Sequence, residues 1–150
     1  MKHAVFERTT QIPASRDAVF RFFAEPSNLG RITPPKLRHH IISGPSRSLR
    51  EDDRIEYAFR MFGVPMRWRS RIASWREGES FSDLQERGPF AYWVHTHSFR
   101  DAGGGAEMRD RVEYRLPFGW LGRLVAASMV RRQLERIFDY RAEAVVRAFT

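Results

Sequence analysis

Apolar residues recur every three or four positions through the last thirty residues of the chain, and this spacing predicts one long amphipathic helix over residues 119–150. No proline interrupts the segment, and no glycine follows Gly122. Such a helix would be on the order of 45 Å long, more than a domain of this size needs to fill a core. We therefore expect other elements to wrap around it. The apolar positions are Leu121, Leu124, Val125, Val130, Leu134, Ile137, Phe138, Val145 and Phe149, and Arg141 falls in the same register.

Alternation with a period of two predicts strands through most of the remaining chain. One face of these strands is apolar and the other is rich in arginine, which is typical of an antiparallel sheet with one side in water. Residues 63–65 are expected to form one turn, and a glycine-rich loop centred on Gly103 and Gly104 to form another. The expected strands are 4–12, 37–43, 54–62, 66–75, 80–86, 91–100 and 106–116.

Two short helices are predicted between the first two strands. Ser15 is suited to cap a helix over 16–24, and Ser27 a second one that must end at Pro34-Pro35. The predicted fold class is α+β: a curved antiparallel sheet of about seven strands wrapped around the C-terminal helix. We expect residues 1–150 to form a single ligand-binding domain.

The composition says more about the cellular location of the protein than about its function. The chain has no cysteine, no apolar run long enough to cross a membrane and no apolar segment near Met1, so a cytoplasmic location is expected. The formal net charge is +8, but 24 of the 26 basic residues are arginines scattered among 18 acids. We interpret this as a solvated surface and expect no specific nucleic-acid partner, although the arginine-rich outer face would also suit an interaction module.

Four ionisable residues fall on the apolar face of the sheet. His95 and His97 alternate with Trp93 and Phe99, Asp83 follows Phe81 with the same parity, and Asp110 lies among Met108, Val112 and Tyr114. The loop centred on Gly103 and Gly104 places His97 across from Asp110. A second loop, centred near Pro89, places Asp83 across from His95. Each histidine is therefore expected to have its own carboxylate on the neighbouring strand.

Three interpretations of these pairs remain open. They are satisfied buried pairs that tie strands together, or the polar end of a ligand cavity, or a chemical site in which the histidines and aspartates act as general acid and base or hold a divalent metal. Metal is the less favoured of the last two, because His-x-His on one strand is only part of a site and pairing each histidine with an aspartate uses these groups twice, so no metal and no cofactor are expected. No serine or threonine lies in a recognisable nucleophile motif.

The aromatic residues of the concave face would supply contact area for a ligand if one helix does not fill the space beneath the sheet. Together with the polar cluster they give the predicted ligand-binding set: Tyr57, Phe59, Trp68, Phe81, Asp83, Gln85, Trp93, His95, His97, Phe99, Asp110 and Tyr114. The catalytic candidates within this set are His95, His97, Asp83 and Asp110.

A spaced pattern extends this interpretation to a family. Its most specific parts are Phe81-x-Asp83-x-Gln85, Gly88-Pro89-Phe90, Trp93-x-His95-x-His97-x-Phe99 and Asp110-x-Val112-x-Tyr114. With the order of elements, this pattern resembles the START-like (SRPBCC) superfamily, and more narrowly a bacterial branch of polyketide cyclase/dehydrase-like ligand-binding proteins. Some members of that branch are joined to an epimerase-like domain described as a cell-division inhibitor.

The resemblance implies a helix-grip fold with a cavity for a small hydrophobic or aromatic molecule, such as a lipid, a quinone or a polyketide-like compound. It implies access to the cavity near residues 32–35, 62–65 and 90. It also keeps a polyketide cyclase or dehydratase, using a His/Asp pair, as the alternative function.

Overall fold

A computed structural model describes residues 3–150 of the chain, so Met1 and Lys2, within the predicted domain, lie outside the described residues. The seven strands are β1 Ala4–Ile12, β2 His40–Ser43, β3 Arg54–Met61, β4 Val64–Arg76, β5 Ser80–Arg87, β6 Tyr92–Ala102 and β7 Gly105–Arg115. The helices are α1 Arg16–Ala24, two short 3-10 helices at Pro26–Ile32 and Pro35–Leu37, and α2 Trp120–Ala148. The predicted α+β helix-grip fold is confirmed.

All seven strands belong to one antiparallel sheet in the order β1-β7-β6-β5-β4-β3-β2. The chain meanders from β2 to β7, and β1 closes the order by pairing with β7. Gly103 and Gly104 both have positive φ angles and form a two-residue turn, so β6 and β7 pair in the predicted register. Asp83 likewise pairs with His95 between β5 and β6, as predicted.

The helices between β1 and β2 begin and end for local reasons. The Ser15 hydroxyl accepts a hydrogen bond from the Ala18 amide and caps α1, as predicted. Pro26 stands at the start of the first 3-10 helix, which ends at Ile32 before the two prolines. α1 contributes Val19 and Phe20 to one of two apolar clusters. The second half of α2 contributes to both clusters, with Ala144 and Val145 in the first and Leu134 and Phe138 in the second.

Three local predictions were wrong. Ser27 does not cap the second helix, because that helix begins at Pro26 after Glu25 and has no side-chain cap. The second strand begins at His40 rather than residue 37, because Pro35–Leu37 form a 3-10 turn and Arg38 has a φ of 48° that ends it. The turn between β3 and β4 is formed by Phe62 and Gly63 rather than residues 63–65, and both residues have positive φ angles. This two-residue connection matches the twist of the flanking strands.

The long helix α2 is buried over only part of its length. Leu134, Phe138, Ala144 and Val145 are buried in its second half. In the first half Trp120, Leu124 and Val125 are 77%, 72% and 73% exposed. The amphipathic pattern therefore predicts the extent of the helix correctly but not the part of it that contacts the sheet. No helix within residues 3–150 is long and apolar enough to cross a membrane.

Candidate functional site

The polar cluster lies on the concave face of the sheet, where β5, β6 and β7 run side by side. Successive side chains of a strand point to opposite faces, so His95 and His97 lie on the same face of β6. Both histidines and Asp110 are buried, and Asp83 is largely buried. The two imidazole rings are adjacent, with centroids 3.9 Å apart and ring planes inclined by 32°.

The closest contacts within the cluster are diagonal. Asp110 pairs with His97 in the strand register, but its Oδ1 lies 2.7 Å from Nε2 of His95 and 3.4 Å from Nδ1 of His97. Asp83 pairs with His95, but its Oδ2 lies 3.1 Å from Nε2 of His97 and 3.9 Å from Nδ1 of His95. Each histidine therefore has one hydrogen-bonded carboxylate, as expected, but the partner lies on the diagonal instead of directly across the strands. Each carboxylate also lies within 4 Å of the other histidine.

Burial and charge act in opposite directions on these groups. Burial alone would raise the pKa of both carboxyls, but contacts with the two histidines outweigh it and lower the pKa of Asp110 and of Asp83. Burial alone would lower the pKa of His97, but Asp110 and Asp83 outweigh it and raise that pKa. In His95, burial and the neighbouring charge of His97 prevail, and its pKa is lowered.

A cavity of about 170 Å³ lies between the sheet, the segment around Ile32 and the second half of α2. Asp83, His95 and His97 line it, whereas Asp110 lies behind them, outside the lining. The rest of the wall is mainly aromatic and aliphatic. Of the predicted ligand-binding residues, the cavity brings together Tyr57, Phe59, Trp68, Phe81, Asp83, Trp93, His95 and His97.

Four residues of the predicted set lie outside the cavity lining: Gln85, Phe99, Asp110 and Tyr114. Gln85 is held by the loop that follows its strand, because its side-chain amide donates to the Phe90 carbonyl and accepts from the Phe90 amide. Phe99 packs against Phe20 of α1. Of the expected access points, Ile32, Thr33 and Phe90 line the cavity, while Phe62 does not.

The cavity is also lined by polar residues that were not assigned to the site from the sequence: Glu25, Asn28, His39, Ser70 and Arg141. The signal for Arg141 was present, since an arginine within the apolar register of a helix is unusual. Its guanidinium lies 5.1 Å from the centre of the Phe138 ring. Burial, followed by the charge of Arg141, lowers the pKa of His39 to about 4.

Strands β3 and β4 contribute Tyr57, Trp68 and Ser70 to the cavity lining. The Trp68 indole N–H donates to the Ser70 hydroxyl over 2.9 Å, and the Tyr57 and Trp68 rings are stacked. Burial raises the pKa of Tyr57, so its hydroxyl remains protonated at neutral pH. The cavity therefore presents hydroxyl, guanidinium, imidazole and carboxylate groups within an otherwise apolar wall.

Comparison with known proteins agrees with the fold described above. The family model described as "Polyketide cyclase / dehydrase and lipid transport" matches residues 3–149. No curated protein matches the chain at a significant level. Among solved structures, the Zhui aromatase/cyclase from Streptomyces sp. R1128 is similar with a TM-score of 0.76 and 15% identity, over 96% of this chain and 92% of that one.

Two further structures show how widely the fold is used. The major latex-like protein 151 from Panax ginseng has a TM-score of 0.73 and 12% identity, over 100% of this chain and 99% of its own. The nucleoside-diphosphate sugar epimerase from Corynebacterium glutamicum has a TM-score of 0.67 and 23% identity, over 95% of this chain but only 28% of its own. At these identities the likeness concerns the fold alone.

Proposed function

Because the chain belongs to the polyketide cyclase/dehydrase and lipid transport family, we propose that it binds a small hydrophobic or aromatic molecule in the cavity between the sheet and α2. The observation that carries the proposal is the distribution of polarity around this cavity. Phe59, Trp68 and Trp93 provide apolar contact area, and the ionisable groups Asp83, His95 and His97 are gathered at one place. A ligand with an apolar body and one polar end would satisfy both parts.

The volume limits the size of the occupant. A protein cavity of roughly 150 Å³ lined by apolar side chains holds benzene. The cavity of about 170 Å³ therefore suits a molecule of one or two rings in the conformation described. A large lipid or a multi-ring polyketide would require the walls to move apart.

The polar end favours a ligand that donates a hydrogen bond. Nδ1 of His95 and Oδ2 of Asp83 lie 3.9 Å apart and both face the cavity as potential acceptors. A hydroxyl or phenol group would donate to one of them, at a net gain of roughly 1 kcal/mol per hydrogen bond. Ligands in which this group is replaced by hydrogen should bind correspondingly more weakly.

An enzyme of the cyclase or dehydratase type is the second candidate function. It is favoured by the arrangement in which Asp83 and His97 reach the cavity while Asp110 contacts both imidazoles from behind. A general base held by a second group in this way is typical of acid–base catalysis. His97→Ala separates the two functions, because pure binding predicts weaker affinity, whereas catalysis predicts lost turnover with the substrate still bound.

The first experiment identifies any small molecule that copurifies with the protein, by native mass spectrometry followed by denaturation. In parallel, 2-naphthol and naphthalene are titrated against tryptophan fluorescence. We expect 2-naphthol to bind at least about five- to tenfold more tightly than naphthalene, as one additional hydrogen bond implies.

A matched pair of variants on α2 tests the location of binding. Ile137 lines the cavity and Arg136 is an exposed neighbour, so Ile137→Trp fills the cavity and Arg136→Trp adds the same side chain outside it. We expect Ile137→Trp to abolish 2-naphthol binding and Arg136→Trp to retain it. Equal binding by both folded variants would refute the cavity as the site.

A further inference from the structure

We propose that Asp83, His95 and His97 form a binding site for one divalent transition-metal ion, with the open coordination positions of the ion facing the cavity. The proposal goes beyond ligand binding and does not depend on it, since an ion at this place requires no organic occupant. It rests on the arrangement of ring nitrogens and carboxylate oxygens within the cluster.

The three donor atoms lie close to the separations that a shared ion needs. One ligand atom from each of these residues lies within 4.8 Å of the others. Oδ2 of Asp83 lies 3.1 Å from Nε2 of His97 and 3.9 Å from Nδ1 of His95. With metal–ligand bonds of about 2.0–2.2 Å, neighbouring donors of a tetrahedral or octahedral ion lie about 3–3.5 Å apart. A small rotation of the side chains would bring all three into range.

Asp110 lies beside the remaining nitrogens and forms a hydrogen bond with that of His95, whereas Nδ1 of His97 has no hydrogen-bond partner among the described residues. It contacts Nε2 of His95 at 2.7 Å and approaches Nδ1 of His97 at 3.4 Å, and these are the nitrogens that the proposed ion does not use. A carboxylate on the distal nitrogen is the usual partner of a metal-binding histidine, because it fixes the tautomer and the ring orientation. One buried carboxylate would serve both rings here.

The hydrogen bonds answer the argument that pairing each histidine with an aspartate uses these groups twice. An ion would replace only the 3.1 Å hydrogen bond between His97 and Asp83, and the hydrogen bond between His95 and Asp110 would remain. Because Asp110 contacts both rings from one side, Nδ1 of His95 and Nε2 of His97 both remain directed towards Asp83. The lone pair of His95 Nδ1 then faces a carboxylate oxygen across 3.9 Å, and a cation between them would bind both acceptors.

The position of the site relative to the cavity leaves room for a further ligand. Asp83, His95 and His97 all line the cavity, and Asp110 does not. The donor set of two imidazole nitrogens and one carboxylate oxygen suits zinc or ferrous iron, and three protein ligands leave at least one position open. Arg141 also lines the cavity, so an oxygen atom of an occupant would find a metal ion and a guanidinium in the same space.

The test uses the full chain after treatment with EDTA and exhaustive dialysis. Zn²⁺ is titrated by isothermal calorimetry, and Co²⁺ is added separately to record its visible absorption. We expect one ion per chain, and a loss of affinity of about 100-fold or more in His97→Gln and in Asp83→Asn. His40→Gln is the matched control, because His40 is an exposed histidine of β2.

Nitrogen-15 spectra of the imidazole side chains provide a second measurement that does not depend on variants that fold. On addition of Zn²⁺ to the wild-type protein, Nδ1 of His95 and Nε2 of His97 should shift, and the nitrogens facing Asp110 should not change protonation. Absence of one-to-one binding, binding unchanged in both variants, or shifts confined to other histidines would overturn the proposal. If metal-free protein still binds 2-naphthol while Zn²⁺ does not bind, the metal site is refuted and the proposed ligand-binding function stands.

Discussion

Asp110 forms its shortest contact, 2.7 Å, with His95, although His97 is the residue directly across from it in the strand register. The register places these groups on one face, and the side-chain rotations then connect them diagonally. A single buried carboxylate thereby contacts two adjacent imidazoles. The stability of this part of the sheet should depend on it.

Replacing the Asp110 carboxylate should destabilise the protein strongly. In Asp110→Asn the two histidines lose the charge that offsets their burial, and breaking a buried pair costs roughly 3–5 kcal/mol. We expect the free energy of unfolding in urea at pH 7 to fall by about 3 kcal/mol. Asp101→Asn is the control, because Asp101 is an exposed residue of the neighbouring strand and should change stability by less than about 0.5 kcal/mol. Equal effects of the two changes would contradict this role of Asp110.

The contact of Gln85 with the loop at Phe90 predicts a local effect. Gln85→Ala removes both side-chain hydrogen bonds to the Phe90 backbone, which measure 2.8 and 3.1 Å. We expect amide hydrogen exchange at Phe90 to accelerate about fivefold, since the hydrogen bond lost by this amide contributes about 1 kcal/mol. Gln11→Ala, which removes an exposed contact with Glu107, should leave this amide unchanged. Unaltered protection of Phe90 in Gln85→Ala would show that the loop is held by other groups.

His39 predicts a dependence of stability on pH. Its pKa is lowered from 6.5 to about 4 by burial and by Arg141. The unfolded chain therefore takes up a proton at a pH where the folded chain does not, and stability is lost as the pH falls from about 6.5 to about 4. His39→Phe keeps an aromatic ring beside Tyr57 without a titrating group.

We expect the wild type to lose on the order of 1–2 kcal/mol more stability than His39→Phe between pH 7 and pH 4.5, after allowing for solvent screening. The measurement is urea unfolding across that range. His3→Gln, at a histidine that is not among the groups that shift the pKa of His39, should follow the wild type. Parallel pH profiles for the wild type and His39→Phe would contradict the prediction.

The turn between β3 and β4 can be improved. Phe62 is about half exposed and has a φ of 54°, a left-handed conformation that is unfavourable for a large side chain. Asparagine tolerates this conformation, and Asn-Gly is the preferred sequence for such a turn. We expect Phe62→Asn to stabilise the protein by about 0.5–1 kcal/mol, or to raise the Tm by about 2–4 °C. Gly63→Ala should lower the Tm, because Gly63 has a φ of 75°. A higher Tm for Gly63→Ala than for Phe62→Asn would refute this explanation.

The sequence predicted the strand face and the register of the candidate site residues, which the backbone geometry determines. Alternation placed His95 and His97 on one face, and the turn at Gly103 and Gly104 fixed the register against Asp110. The diagonal contacts depend on side-chain rotation, which alternation does not specify. The same limit explains Gln85, which lies on a cavity-facing strand but bends towards the Phe90 backbone.

Arg141 was outside the prediction for a different reason. The period of α2 identifies which side of the helix faces the sheet, and an arginine on that side can extend its charged group to solvent or into a cavity. Only the three-dimensional arrangement shows that it lies at the wall beside Asp83. Its influence on His39 and Asp83 is electrostatic and leaves no pattern in the sequence.

The unequal burial of α2 has a kinetic consequence. The turns that carry Leu134 and Phe138 are held by the sheet and can open only when the core is disrupted. The turns around Leu124 and Val125 are held mainly by their own backbone hydrogen bonds, and local opening there leaves the core intact. One continuous helix thus belongs to two cooperative units, and its amide protons should exchange with solvent on two distinct timescales, rapidly in its first half and at the rate of global unfolding near the cavity.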